Sequence, residues 1–176
     1  RWNLNVGNIA KFIDLDSTGD MLVIGASVSN SQETDSLYFS PQQANLSYYF
    51  KTYNLVTAAK LVNINGNTTA FWAENGILYY TNIGNQNPNQ HQHKINLPNQ
   101  HPHKIMNESI TEISVNLQNT SIILGTSAGN VYVLSYTFTP TPNTNINTNN
   151  DYQLSITNTT KYTGDSTAIT GLVADD

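Results

Sequence analysis

The chain contains no cysteine, which excludes disulfides, thiolate nucleophiles and cysteine-ligated zinc together. It also speaks against a small secreted eukaryotic domain, which is usually stapled by bridges. Charge is scarce as well: charged residues make up 11% of the 176 positions, against about 25% in an ordinary soluble domain. Only seven lysines and arginines are spread along a chain of net charge −5. That leaves no electrostatic footprint for a phosphate backbone, so no nucleic-acid partner is expected. No apolar run approaches the ~20 residues of a membrane-spanning helix, so no membrane span is expected in this segment. No signal peptide opens it. The chain starts on Arg1-Trp2 and stops on Ala174-Asp175-Asp176, which reads as a piece of a longer protein, so missing targeting signals carry little weight. No stretch of about 12 or more residues keeps a 3.6-residue apolar period, and almost no helix is expected.

Neutral polar residues do the solvating instead. Asn, Gln, Ser and Thr supply 70 positions, 26 of them Asn. Five N-x-S/T sequons, at Asn45, Asn67, Asn107, Asn119 and Asn158, are about the number that such a composition produces by chance, although each is a glycosylation acceptor by chemistry. Hydrophobic residues, 38% of the chain, fall in short β-branched and aromatic runs bounded by Asn, Gly, Asp and Ser. That is the signature of strands and hairpins. The runs are 21–24, 36–39, 46–53, 59–64, 69–73, 77–81, 112–115, 121–125, 130–139 and 169–174.

The runs recur as a unit. Residues 13–27 lie on 113–127 without a gap, placing Asp16 on Asn116, Leu22-Val23-Ile24-Gly25 on Ile122-Ile123-Leu124-Gly125, and Ser27 on Ser127. With a six-residue insertion after Gly25, Leu37-Tyr38-Phe39 matches Val131-Tyr132-Val133. A third copy over 61–81 puts Asn63 in the Asp16/Asn116 column, and a fourth begins at Thr170 with Asp175 in that column. Each unit reads as strand, Asx turn, strand, Gly-containing hairpin, and strand with a central aromatic. One such meander cannot bury both of its faces and has to stack on neighbours.

The stretch ISVNLQNTSIILGTSAGNVYVLS resembles the first three strands of a WD40-type propeller blade, and IDLDSTGDMLVIGAS resembles both that blade and the FG-GAP blade of integrin-like propellers. The Gly-His and Trp-Asp dipeptides of WD40 repeats are missing, and only the turn positions carry over, to Asp16, Asn63, Asn116, Asp175, Gly25, Gly125, Gly76 and Gly129. A divergent propeller, of the kind in nuclear-pore scaffolds or microbial surface proteins, fits better than a typical WD40 protein. The expected fold is all-β: consecutive four-stranded antiparallel blades of a partial β-propeller, with a β-sandwich or β-solenoid as the alternatives. The units are expected at about 8–54, 55–83 and 107–139, with another starting at 168–176. Segments 84–106 and 139–150 read as low-complexity loop insertions. Three and a half units cannot close a ring of the usual four to eight blades, so closure calls for the rest of the chain or for neighbouring subunits.

Three groups of residues are candidates for chemistry. His91, His93, His101 and His103 form two H-x-H pairs inside a ten-residue tandem repeat, and two such extended segments side by side can present four imidazoles to Zn²⁺, Cu²⁺ or Ni²⁺. No carboxylate or cysteine flanks them as an outer shell, and free imidazoles in a polar loop are the plainer reading. Asp14, Asp16 and Asp20 with Gly19 resemble the D-x-D-x-D-G calcium loop of FG-GAP blades. Thr18 stands at the third ligand position and Leu22 where a closing carboxylate belongs, so an Asx turn is the plainer reading. Tyr48, Tyr53 and Tyr80 are candidate surface recognition residues, against a reading as packing between blades. No G-x-S-x-G elbow, phosphate loop or pocketed carboxylate pair is present, so neither an enzyme nor a cofactor is expected. The expected role is a non-catalytic module that binds a protein or glycan partner at a cell surface or outside the cell, in adhesion or assembly. The alternative is a cytoplasmic or nuclear scaffold subunit of a large complex.

Overall fold

A computed structural model describes residues 9–29, 32–40, 48–52, 54–64, 66–74, 76–82, 93–94, 108–140 and 152–173. All regular structure among them is β. Strands β1 (Ile9–Leu15), β2 (Met21–Ser29), β3 (Gln32–Ser40) and β4 (Tyr48–Lys51) form one four-stranded antiparallel sheet in chain order. Strands β5 (Val56–Ile64), β6 (Asn67–Glu74), β7 (Ile77–Asn82) and β8 (His93–Lys94) form the second, and β9 (Ile110–Asn116), β10 (Ser121–Thr126), β11 (Val131–Pro140) and β12 (Tyr152–Tyr162) the third. The architecture is three consecutive antiparallel meanders. Two strands escaped the expected units: β8 falls inside the presumed insertion 84–106, and β12 completes the third sheet beyond the presumed insertion 139–150.

The turns follow from local chemistry. In the β1–β2 hairpin Asp16 Oδ1 accepts the Thr18 and Asp20 N–H groups at 2.9 and 3.0 Å. Asn63 Oδ1 accepts the Gly66 N–H at 2.9 Å, and Asn116 Oδ1 the Asn119 N–H at 2.7 Å. The three described members of the Asx column therefore each make the side-chain-to-backbone bond that column predicted. In the second sheet Ile64 pairs Asn67 and Glu74 pairs Ile77, so Asn65-Gly66 and Asn75-Gly76 are two-residue connections. Asn-Gly is the preferred dipeptide there because the tight turn needs positive φ, and Gly66 and Gly76 have φ of +82° and +76°.

The middle sheet is apolar on both faces, and alternation along β6 makes it so. Trp72, Ala70, Leu61 and Val56 join Leu22, Ile24, Leu37 and Phe39 of the first sheet in one core. Phe71, Ala73, Leu78 and Tyr80 join Ile113, Ile122, Leu124 and Leu134 of the third sheet in another. The leading strands make the junctions, β5 packing against β1 on one side and β9 on the other.

The gapless overlay of units one and three holds for the first strand and fails for the second. Leu15 pairs Met21 across residues 16–20, whereas Asn116 pairs Ser121 across 117–120. One extra turn residue slips the second strand by one position, and a one-residue slip exchanges its faces. Leu22 thus turns toward the sheet that follows its own, and Ile122 toward the sheet that precedes its own.

The strand expected over 169–174 is absent among its described residues, 169–173. The Ile169 N–H donates to Thr126 O at 3.0 Å and Thr111 Oγ1 donates to Ile169 O at 2.6 Å, which are point attachments and not a ladder. This segment lies over Gly125, where an added Cβ would meet Ile169 Cγ2 at 2.5 Å and Leu172 Cδ1 at 3.2 Å. Gly125 permits that close approach.

Candidate functional site

The acidic candidates of the first unit sit at the junction of the first two sheets. β5 is the edge strand of its sheet, so alternate N–H groups of that strand have no ladder partner. Asp14 supplies one: its Oδ2 accepts the Leu61 N–H at 2.7 Å, and Lys60 Nζ lies 3.2 Å away. Asp16, besides holding its turn, is reached through Oδ2 by the Thr68 hydroxyl of β6 at 3.1 Å, and the same hydroxyl is 3.0 Å from Asp20 Oδ2. The three carboxylates do not converge on one point: Asp14 bonds to β5, while Asp16 and Asp20 share Thr68. Among the described residues no group of three or more His, Cys, Asp or Glu side chains is placed to hold a metal ion. Asp16 thus closes the turn of this loop, and Asp14, Asp16 and Asp20 also bond the first sheet to the second.

His93 lies in β8 opposite Tyr80, and its side chain is outside what is described; His91, His101 and His103 fall outside the described residues. Tyr48 lies in β4 opposite Phe39, again without a described side chain, and Tyr53 falls outside the described residues. Tyr80 is a core residue of this chain, 2% exposed. Its ring centroid is 6.3 Å from that of Phe71, and its oxygen accepts the Leu154 N–H of β12 at 2.9 Å. Strand alternation decides its role: Tyr80 shares a face with Leu78, and that face is covered by the third sheet.

Three further acids were not anticipated. Asp35, in β3 and fully buried, accepts the Val56 N–H at 2.7 Å through Oδ2, while Lys11 Nζ lies 3.0 Å from Oδ1. Glu74, also fully buried at the end of β6, accepts the Asn54 N–H at 2.8 Å and the Trp72 indole N–H at 2.7 Å. Glu108, ahead of β9, accepts Thr126 Oγ1 at 2.6 Å and Asn130 Nδ2 at 2.8 Å, with Lys161 Nζ 3.7 Å away. Burial works to raise the Glu108 pKa, but the bonds from Asn130 and Thr126 and the Lys161 charge outweigh it and leave it below the ordinary glutamate value. Lys161 also stands 5.3 Å from the centroid of the Tyr132 ring. Each of these carboxylates ties a strand end to a neighbouring segment, and none faces an open pocket that the structure describes.

A shallow recess of about 320 Å³ lies where the hairpin ends of the second and third sheets meet, lined by Ile64, Leu117, Thr120, Tyr136, Thr137 and Phe138. Tyr136 and Phe138 meet edge to face at 5.5 Å, and burial raises the Tyr136 pKa. Thr120, Tyr136 and Thr137 bring hydroxyls to its lining. No family model and no curated protein sequence matches the chain. Among the described residues no helix is long and apolar enough to cross a membrane.

Proposed function

We propose that this chain is a non-catalytic segment of a β-propeller that serves as a binding or scaffold module for a protein or glycan partner, at a cell surface or outside the cell. The observation that carries the reading is the order of the sheets. Three four-stranded meanders follow one another along the chain, each meeting the next through its leading strand. A two-layer sandwich offers no place for a middle sheet that is apolar on both sides, whereas a blade is covered on both sides by definition. The acids support a structural role, since Asp14, Asp35, Glu74 and Glu108 bond to backbone or side chains of the fold. The surface reading draws on the low charge and on sequons at exposed positions, Asn119 and Asn158.

Glycopeptide mapping of the protein from its native source tests the setting. Occupied Asn119 and Asn158 support the surface module; bare sequons together with stoichiometric co-purification of other subunits support an intracellular scaffold instead. An experimental structure in which β1, β5 and β9 do not line a common axis would overturn the propeller.

A further inference from the structure

The recess between the hairpin ends of the second and third sheets holds a buried polar group with nothing bonded to it. β10 begins at Ser121 opposite Ser135, so residues 136–140 of β11 run past it and form a ladder only with β12. Tyr136 and Phe138, two positions apart, share a face of this overhang, and both line the recess with Ile64, Leu117 and Thr120. The Tyr136 N–H donates to Thr120 O at 3.0 Å, which pins the 117–120 turn to the overhang. Thr120 has a φ of +45°, a conformation that a β-branched residue rarely adopts, and such strain gathers at binding sites.

Tyr136 is 3% exposed, yet its hydroxyl bonds to no other residue among those described. Nor is that oxygen one of the side-chain atoms sealed from solvent, so its partner has to come through the recess. Tyr80, in the same core and as deeply buried, shows the ordinary arrangement: its oxygen accepts the Leu154 N–H. A buried tyrosine hydroxyl is normally satisfied in this way.

We infer that the recess binds one neutral pyranose ring, the end residue of a glycan, with the Tyr136 hydroxyl bonded to a sugar hydroxyl and a C–H face of the sugar against the Phe138 ring. The inference rests on the binding-module reading and deepens it by naming the glycan and its place. None of the residues lining the recess carries a charge, so a charged ligand would shed its water without gaining a counter-charge. A wholly apolar ligand would leave the Tyr136 hydroxyl dry. A pyranose supplies hydroxyls together with C–H groups whose positive edge suits the negative face of an aromatic ring. The volume, about 320 Å³, lies at the small end of ligand sites, which run from roughly 300 to 1,000 Å³, and suits a single ring.

Titration of the isotopically labelled chain with the methyl glycosides of glucose, mannose, galactose and N-acetylglucosamine is the test. At least one of them shifts the Leu117, Thr120 and Phe138 amides together and saturably, with a Kd of about 1–10 mM. Tyr136→Phe removes a hydroxyl that has no partner in the chain, so it weakens that binding about fivefold and leaves the urea midpoint unchanged. The methyl glycoside of N-acetylneuraminic acid, which is charged, leaves those amides in place, as does a blocked tetra-alanine peptide. The inference is overturned by no shift with any neutral glycoside at about 50 mM, by shifts with the charged sugar or the peptide alone, or by binding that Tyr136→Phe does not weaken. A Tyr136→Phe variant of lower stability overturns it too, because the hydroxyl then has a partner inside the fold. Saturable sugar shifts confined to other residues remove this site and keep a glycan-binding module. The module reading itself falls when the chain retains neither a glycan from an array nor a protein subunit on isolation from its native source.

Discussion

Trp72→Phe isolates one bond at the centre of the first junction. Trp72 is fully buried, stacks on Tyr79 at 5.6 Å with an interplanar angle of 14°, and donates its indole N–H to Glu74 Oε1. Phenylalanine keeps a ring over Tyr79 and in contact with the first sheet, but deprives Oε1 of that donor. Leaving a buried acceptor without its donor costs about 1–3 kcal/mol, and the lost indole volume adds roughly 1 kcal/mol. We therefore expect a destabilisation of about 3 kcal/mol. At an m-value of roughly 2 kcal/mol per molar urea, the midpoint falls by about 1.5 M. Circular dichroism is the suitable probe, because the substitution removes one of only two tryptophans. Glu74→Gln and the double variant complete a cycle, with a coupling energy of at least about 1 kcal/mol. A midpoint shift below about 0.3 M, or strict additivity, would refute the claim that Glu74 and Trp72 form a buried unit.

Other consequences follow from the same contacts. Val115 is 8% exposed and Leu15, one unit earlier in the same column, 56%. Val115→Ala therefore lowers stability by about 1–3 kcal/mol, whereas Leu15→Ala changes it by less than about 0.5 kcal/mol; equal costs in urea titrations would contradict the burial assigned to the two. Gly125→Val drives a side chain into Ile169 and displaces the 163–173 segment, so hydrogen exchange at the Ile169 amide accelerates; unchanged protection there would exclude the close approach. Because the Glu108 carboxyl is held below its ordinary pKa, its stabilising contribution is complete above the ordinary glutamate range and is lost as pH falls through the depressed value. The gap in melting temperature between wild type and Glu108→Gln should thus narrow on acidification from pH ~7 to ~3; a gap that widens would reverse the sign.

Local chemistry made the turns legible. The Asx positions Asp16, Asn63 and Asn116 and the glycines at 76 and 129 carry their signals within two to four residues, and the φ of Gly129, +76°, matches that of Gly76. β1 was less visible because Lys11 and Asp14 interrupt its apolar run. β12, with Ser155, Thr157, Asn158, Thr159 and Thr160 along its length, offers little apolar alternation, since much of it is exposed. The slip between the first and third units lay hidden because a one-residue change in turn length leaves the residue match intact while exchanging faces. The roles of Asp35 and Glu74 depend on partners 21 and 20 residues away, Val56 and Asn54, and no local pattern announces such pairs. Tyr80 illustrates the same limit: alternation says that one of Tyr79 and Tyr80 faces each way, but which face is covered depends on the third sheet.

The central claim is that the middle sheet is gripped between the other two in chain order, so consecutive residues of one strand touch different sheets. Nuclear Overhauser contacts from the rings of Phe71 and Trp72 in the isotopically labelled chain test this most directly. The account predicts that Trp72 contacts Leu22 and Ile24 while Phe71 contacts side chains of the third sheet. Both rings contacting the same sheet, or neither contacting the third, would contradict it.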